Sequence, residues 1–223
     1  MINQGVMGLL LAGLLAVTGG ARAEEMTSAE RHTALAQAVQ VYESGDFAAA
    51  ELRFTALANA GEPAAWHNLA VMNLRGELPG ASDDKARELL LKAAEHGFVT
   101  AAMALGELYE SGRLGAKDLP QALAWYQRAA DAGSVDAQVA TATAYFMGRG
   151  TRPDAVQAAH WYRMAANGGD VGAQYILGSM YEKGDGVAPD LRLARYWYAA
   201  AARQGDEAAP AKLKEIDSRL SSQ

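Results

Sequence analysis

No cysteine occurs anywhere in the 223 residues. Disulfides are therefore excluded, although an exported location would permit them. Excluded too is the thioether lipid of a bacterial lipoprotein, which needs a cysteine at its cleavage point. A zinc site would have to be assembled from histidine and carboxylates alone. The four histidines, His32, His67, His96 and His160, share no His-Glu-x-x-His or other metal-ligand spacing, so neither a metal nor a cofactor is expected. Basic charge is in short supply: 20 Lys and Arg stand against 26 Asp and Glu, a formal net charge of −6. Phosphate binding needs a net basic stripe, which makes nucleic acid a poor partner. No stretch of strand length alternates with β-branched residues, so nothing supports a sheet or a propeller blade. No Gly-rich loop precedes a helix carrying the lysine of a phosphate site. No serine stands three places before a lysine in a site-like context.

One long apolar run is present, from Val6 to Val17, followed by the helix-breaking Thr18-Gly19-Gly20 and the small-x-small triplet Ala21-Arg22-Ala23. These are the parts of a cleavable secretory signal over residues 1–23, cut near Ala23. The segment before the run, Met1 to Gly5, contributes no Lys or Arg. Twelve residues fall short of the about 20 that a spanning helix takes, so no stable membrane insertion is expected after cleavage. The expected location is the periplasm or the exterior. Loss of Arg22 leaves 19 basic against 26 acidic residues, a balance of −7.

What the chain has in quantity is repetition. Gly61, Gly97, Gly133, Gly169 and Gly205 stand 36 residues apart, and their surroundings keep phase. Four residues after each comes Ala65, Ala101, Ala137, Ala173 or Ala209. Later in the unit follow Tyr109, Tyr145 and Tyr181, with Asn73 in the first; then Gly76, Gly112, Gly148 and Gly184; then Ser82, Asp118, Asp154 and Asp190. Asp46 holds the last of these phases in an earlier unit. A further column, Ala50, Ala86, Ala122, Ala158 and Ala194, is followed by Arg53-Phe54, Leu89-Leu90, Trp125-Tyr126, Trp161-Tyr162 and Trp197-Tyr198. A fixed period of roughly 20–50 residues marks a solenoid, propeller or array.

Each unit reads as two helices. From Gly133, the residues Ala137, Val139, Ala140, Ala144 and Tyr145 recur at three- and four-residue steps, and Gly148 and Gly150 end the segment. Asp154 then caps a second helix whose stripe is Ala158, Trp161, Tyr162, Ala165 and Ala166, stopped by Gly168-Gly169. After the last full unit, Ala208, Ala209, Lys212, Leu213, Ile216 and Leu220 make an amphipathic helix over 207–221. It suits the polar cap that a solenoid end requires.

The run Ala173 to Tyr181, then Gly184 to Asp190, then Ala194-Arg195-Tyr196-Trp197-Tyr198 and Ala201-Ala202 closely resembles the Sel-one-like repeat (SLR), a branch of the tetratricopeptide superfamily. The resemblance implies an all-α fold: a right-handed superhelical solenoid of antiparallel helix pairs, about five pairs plus a C-terminal capping helix. After the signal, residues 24–223 form one domain with units at about 29–60, 61–96, 97–132, 133–168 and 169–204. The early units depart from the pattern, with Leu89-Leu90 for Trp-Tyr and Asn73 for tyrosine. The first, with Tyr42, Phe47, Phe54 and Leu57, looks closer to an ordinary tetratricopeptide unit.

Periodicity also separates structure from function. A residue present in every unit is explained by folding and stacking, so recognition residues are expected where the pattern breaks. On that basis the Trp-Tyr pairs are core, the aspartates are caps, and the hydroxyls of Tyr109, Tyr145 and Tyr181 reach backbone or water. The resemblance places the first helix of each pair on a concave inner surface. Its free face carries His67 and Arg75; Met103, Glu107 and Glu110; Asp136, Val139, Phe146 and Met147; and Tyr175, Glu182 and Lys183. Apolar residues rimmed by charge mark an interaction site. The resulting expectation is a non-enzymatic adaptor, scaffold or regulator taking a peptide or helix of a cell-envelope protein. Glu107 and Glu110 one turn apart read as a solvated face rather than an acid/base pair. Trp66 is either a second anchor or a filler. Cysteine-rich relatives are associated with β-lactam binding, which leaves a cell-wall peptide or glycan binder, or an enzyme acting on β-lactams or peptidoglycan, as alternatives.

Overall fold

A computed structural model describes residues 26–222; the signal segment at 1–23 lies outside the described residues. The described residues form eleven helices and no strand: α1 Ser28–Glu43, α2 Phe47–Asn59, α3 Pro63–Arg75, α4 Asp83–Glu95, α5 Val99–Ser111, α6 Leu119–Asp131, α7 Val135–Met147, α8 Ala155–Asn167, α9 Val171–Lys183, α10 Leu191–Arg203 and α11 Ala209–Ser221. From α3 to α10 the metre is fixed. Thirteen residues of helix, seven of loop, thirteen of helix and three of turn make up the 36-residue period.

Local chemistry sets each boundary. Asp46, Ser82, Asp118, Asp154 and Asp190 each accept a hydrogen bond from the backbone amide three residues on, capping α2, α4, α6, α8 and α10. The three-residue turns close by a six-to-one bond: Phe98 N–H donates to Ala93 O, Ser134 to Ala129 and Asp170 to Ala165. That closure needs a left-handed residue just before the donor, and the periodic glycines supply it with φ between 81° and 95°.

The seven-residue loops are tied across their mouths. Asp118, Asp154 and Asp190 donate their amides to Tyr109, Tyr145 and Tyr181 carbonyls. Where Asn73 replaces tyrosine, its Oδ1 accepts from the Ser82 amide instead, while its Nδ2 donates to Leu69 O. Gly150 and Gly186 press these loops against the preceding hairpin. A methyl group on either would overlap a backbone carbonyl, that of Leu119 or Ala155. The first hairpin differs. Its helices are joined by only Ser44, Gly45 and Asp46, and α1 has sixteen residues. The short connection goes with the unit whose sequence departs from the others.

All the substantial packing joins helices adjacent in chain order, so the molecule is a line of nearest-neighbour interfaces. The two alanine columns are sealed, at 2 % exposure or less, letting helices approach closely. Tyr126, Trp161, Tyr162, Trp197 and Tyr198 are buried as core; Trp125 is half-buried beneath the Arg128 guanidinium. Core residues fall into two clusters, one over α1–α3 and one over α3–α11. Trp66 and Leu89 pack on both, which makes Trp66 a filler between them, with its ring 4.7 Å from that of His96. Two tyrosine hydroxyls depart from expectation: Tyr145 accepts from Gln127 Nε2 and Tyr181 from Arg163, side chains of the preceding hairpin rather than backbone or water. The capping helix begins at Ala209, two residues later than expected, because Asp206 accepts from the amides of Ala208 and Ala209.

Two glycine substitutions separate conformation from contact. Gly97→Ala, at φ 82° with open space around the new methyl, should cost about 1–2 kcal/mol. Gly186→Ala, at φ 68° but against the Ala155 carbonyl, should cost clearly more in urea unfolding.

Candidate recognition face on the first helices

At 100° per residue, the recognition phases of the first helices fall on one arc of about 100°. On α7 that arc carries Asp136, Val139, Thr143, Phe146 and Met147. The structure divides the twelve expected residues by what they touch.

Seven are engaged within the fold. His67 is half-buried with its ring 5.1 Å from Phe98, and burial holds its imidazole below the ordinary histidine range. Arg75 donates to the Tyr42 hydroxyl, which donates in turn to Glu77. Met103 and Val139 are half-buried against the core. Tyr175 lies edge-on to Tyr198 at 5.2 Å. Glu110 accepts from the Tyr126 hydroxyl at 2.9 Å and pairs with Arg149 of the next loop at 2.5 Å.

Glu182 is the most enclosed, its side chain only 8 % exposed. It accepts from the Tyr198 hydroxyl at 2.8 Å and pairs with Lys212 and Arg219 of α11 at 3.3 and 2.9 Å. Burial alone would raise its pKa; the bonds from Tyr198 and Lys212 and the charges of Lys212 and Arg219 bring it below the usual carboxylate value. Glu182 thus fastens the cap. A sequence signal for this pairing exists: glutamate at positions 110 and 182 coincides with tyrosine at 126 and 198, sixteen residues on. In the unit that has Phe146 instead, Tyr162 bonds to Thr143 at 3.0 Å.

The other five, Glu107, Asp136, Phe146, Met147 and Lys183, are exposed, and their polar groups have no hydrogen-bond or ion-pair partner among the described residues. Phe146 and Met147 are 50 % and 63 % exposed at the end of α7. Glu107 binds its proton more tightly than an ordinary glutamate, from partial burial first and then from the charges of Glu110 and Asp136. The face therefore combines an acidic end with an apolar end.

Catalytic geometry is not assembled around these residues. Ser82 and Lys85 have Ser-x-x-Lys spacing, yet Ser82 Oγ caps the Lys85 amide and Lys85 Nζ donates to Gly80 O. Among the described residues, no group of three or more His, Asp or Glu is placed to hold a metal ion. No described helix is long and apolar enough to cross a membrane.

Capped helix pairs repeated at a fixed metre, with variable residues on the first helix of each, define a helical-hairpin repeat solenoid. The Sel1 repeat family model matches residues 63–98, 99–134, 135–170 and 171–206, and the chain belongs to that family within the tetratricopeptide-like superfamily. Among solved structures it is similar to a Sel1 repeat protein from Oxalobacter formigenes, at 32 % identity and TM-score 0.68, over 86 % of this chain and 81 % of that one. It is also similar to a protective antigen of uropathogenic Escherichia coli with an SLR fold, at 30 % identity and TM-score 0.72. That match covers 84 % of this chain and 42 % of the antigen. No curated protein matches the chain significantly.

If Glu182 fastens the cap, Glu182→Gln should destabilise the protein by about 1–3 kcal/mol and speed amide exchange in α11 more than in α5. The sign with pH follows from the lowered pKa: the contribution is present above the unfolded glutamate value and is lost as pH falls through the folded one. Wild-type and variant stabilities should converge in acid.

Proposed function

We propose that this protein is exported to the periplasm or beyond and acts there without catalysis, holding a segment of an envelope protein across α5, α7 and α9. Membership of a family that generally mediates protein–protein interaction and is generally non-enzymatic supports the reading. The signal-like residues 1–23 support the location. The observation that carries the site is the exposed pair Phe146 and Met147. At the same phases, other units place Leu74-Arg75, Glu110-Ser111 and Glu182-Lys183, so no requirement of stacking explains an exposed Phe-Met pair.

Glu107 and Asp136 give the segment its chemistry. Two uncompensated carboxylates at the other end of the face from the exposed apolar side chains suit a partner with a basic residue spaced from an apolar anchor. A charge held next to like charges is a cost to the fold that binding recovers.

Two experiments test the reading. A photocrosslinking residue at position 146 should trap a discrete envelope protein that the same residue at Leu52, exposed on α2, does not trap. Phe146→Ser with Met147→Ser should abolish the adduct formed from a second photocrosslinking site at Lys183, exposed on α9, while leaving the melting temperature within about 2 °C. Equal trapping at 52 and 146, or loss of stability in the double variant, would remove the site.

Glu107→Gln gives a signature of opposite signs. Because the folded protein favours protonated Glu107, the wild type loses stability as pH rises through that raised pKa. The variant should therefore be slightly more stable than wild type at pH 7 and equal to it in acid, yet bind the trapped partner more weakly at pH 7.

A further inference from the structure

A second group of non-repeating residues lies away from that face. Where the end of α8, the turn at Gly169 and the last turns of α10 meet, they form an open surface cleft of about 340 Å³. Ligand clefts run from roughly 300 to 1,000 Å³, which places this one at the size of a small ring system.

Its lining has a definite chemistry. Tyr196 presents its ring to solvent, 56 % exposed, and is held edge-on at 5.0 Å by Trp197, itself buried in the core. Gln174 is fully used: its Nε2 donates to Ala166 O and its Oε1 accepts from Gln204 Nε2 at 2.8 Å. Gln204 is thereby oriented with its own Oε1 unpaired. The amide of Asn167 and the guanidinium of Arg203 also make no hydrogen bond or ion pair among the described residues, and both line the cleft. An aromatic plate therefore stands beside two donors and two acceptors.

The preceding corner of the solenoid lacks this set. There Asp131, His160, Asn167 and Gly168 occupy the phases of Asn167, Tyr196, Arg203 and Gln204. Without a counterpart of Gln204, the buried Gln138 Oε1 has no partner. The corner at α8–α10 is thus built differently, and stacking of units does not require the difference.

We propose that this corner is a subsite for a neutral pyranose ring of a glycan. One face of a pyranose is a flat array of C–H groups that covers an exposed aromatic ring, and its rim of hydroxyls both donates and accepts. Tyr196 meets the first requirement. Asn167, Arg203 and Gln204 meet the second. The C-terminal ends of α8 and α10 converge here, and their partial negative charge offsets that of the Arg203 guanidinium, which suits a neutral ligand. Arg203 then acts as a hydrogen-bond donor rather than as a counter-ion.

The test is saturation-transfer NMR and calorimetry on the chain covering residues 24–223, with the N-acetylglucosamine trimer and cellotriose as probes and trialanine as the control. Transfer should reach the pyranose C–H protons of at least one sugar and exceed transfer to trialanine. Tyr196→Ala should weaken binding about tenfold, or 1.4 kcal/mol, Tyr196→Phe about twofold or less, and Arg203→Gln about fivefold. Phe146→Ser with Met147→Ser should leave sugar binding unchanged, which keeps this outcome separate from that of the protein-binding face. If Tyr196→Ala lowers the melting temperature, Arg203→Gln carries the comparison in its place. No transfer from either sugar at about 10 mM, transfer unaffected by these variants, or preference for trialanine would overturn the assignment.

Discussion

The structure depends on a backbone constraint that recurs every 36 residues: a left-handed turn that only glycine adopts without strain, closing each second helix so that the next begins three residues later. Because that turn never varies from Gly97 to Gly169, neither does the starting angle of the next hairpin. The same alanine columns recur in each unit, with Trp-Tyr rings beside them in the last three, and a protein without disulfides holds a long shape by packing alone. Capping aspartates and loop-closing amides then need to satisfy only local groups. Register between units is fixed by the turns and by the loops that Gly150 and Gly186 press onto the hairpin before.

Upon that frame, residues that look free in sequence are often bound to a neighbour. Glu110 and Glu182 occupy the same phase, accept from tyrosines of one phase, Tyr126 and Tyr198, and pair with a cation of the following unit or of the cap. The inner row is thus partly a zip of inter-unit contacts. What remains for recognition is narrower than the whole arc: an acidic end at Glu107 and Asp136 and an apolar end at Phe146 and Met147. Binding energy at interfaces concentrates in few residues, so a narrow patch is no obstacle to a specific partner.

Helix pairs, caps and the alanine core were legible in the sequence, since each is stated four or five times in phase, and the Trp-Tyr core three times. That the first unit departs from the others was legible too, from Tyr42, Phe47 and Phe54, but its three-residue connection was not. The site was read less well, for a physical reason. Periodicity tells which face of a helix a residue occupies, but not whether a long side chain from the next unit folds over it. Glu182 was placed with the recognition residues because Lys212 and Arg219 lie outside the repeat, in a helix read only as a cap. Val139 sits between the two stripes and was assigned to both; it is half-buried, as its angle dictates. Tyr196 and Arg203 drew no attention because they lie on a second helix, outside the face that the tetratricopeptide analogy favours.

The join between the two core clusters has a mechanical meaning. Apolar continuity between the two clusters passes through Trp66 and Leu89, because α3 gives Ala65, Leu69 and Met72 to one cluster and Ala70 to the other. Elsewhere, large rings and tightly fitted alanines link each hairpin to the next. Pulled from its ends, the coil has its natural parting line there, so the stretch from α1 to α3 yields first while the units from α5 onward stay closed. A partner gripped by α5, α7 and α9 would thus be shielded from tension that enters through the N-terminus.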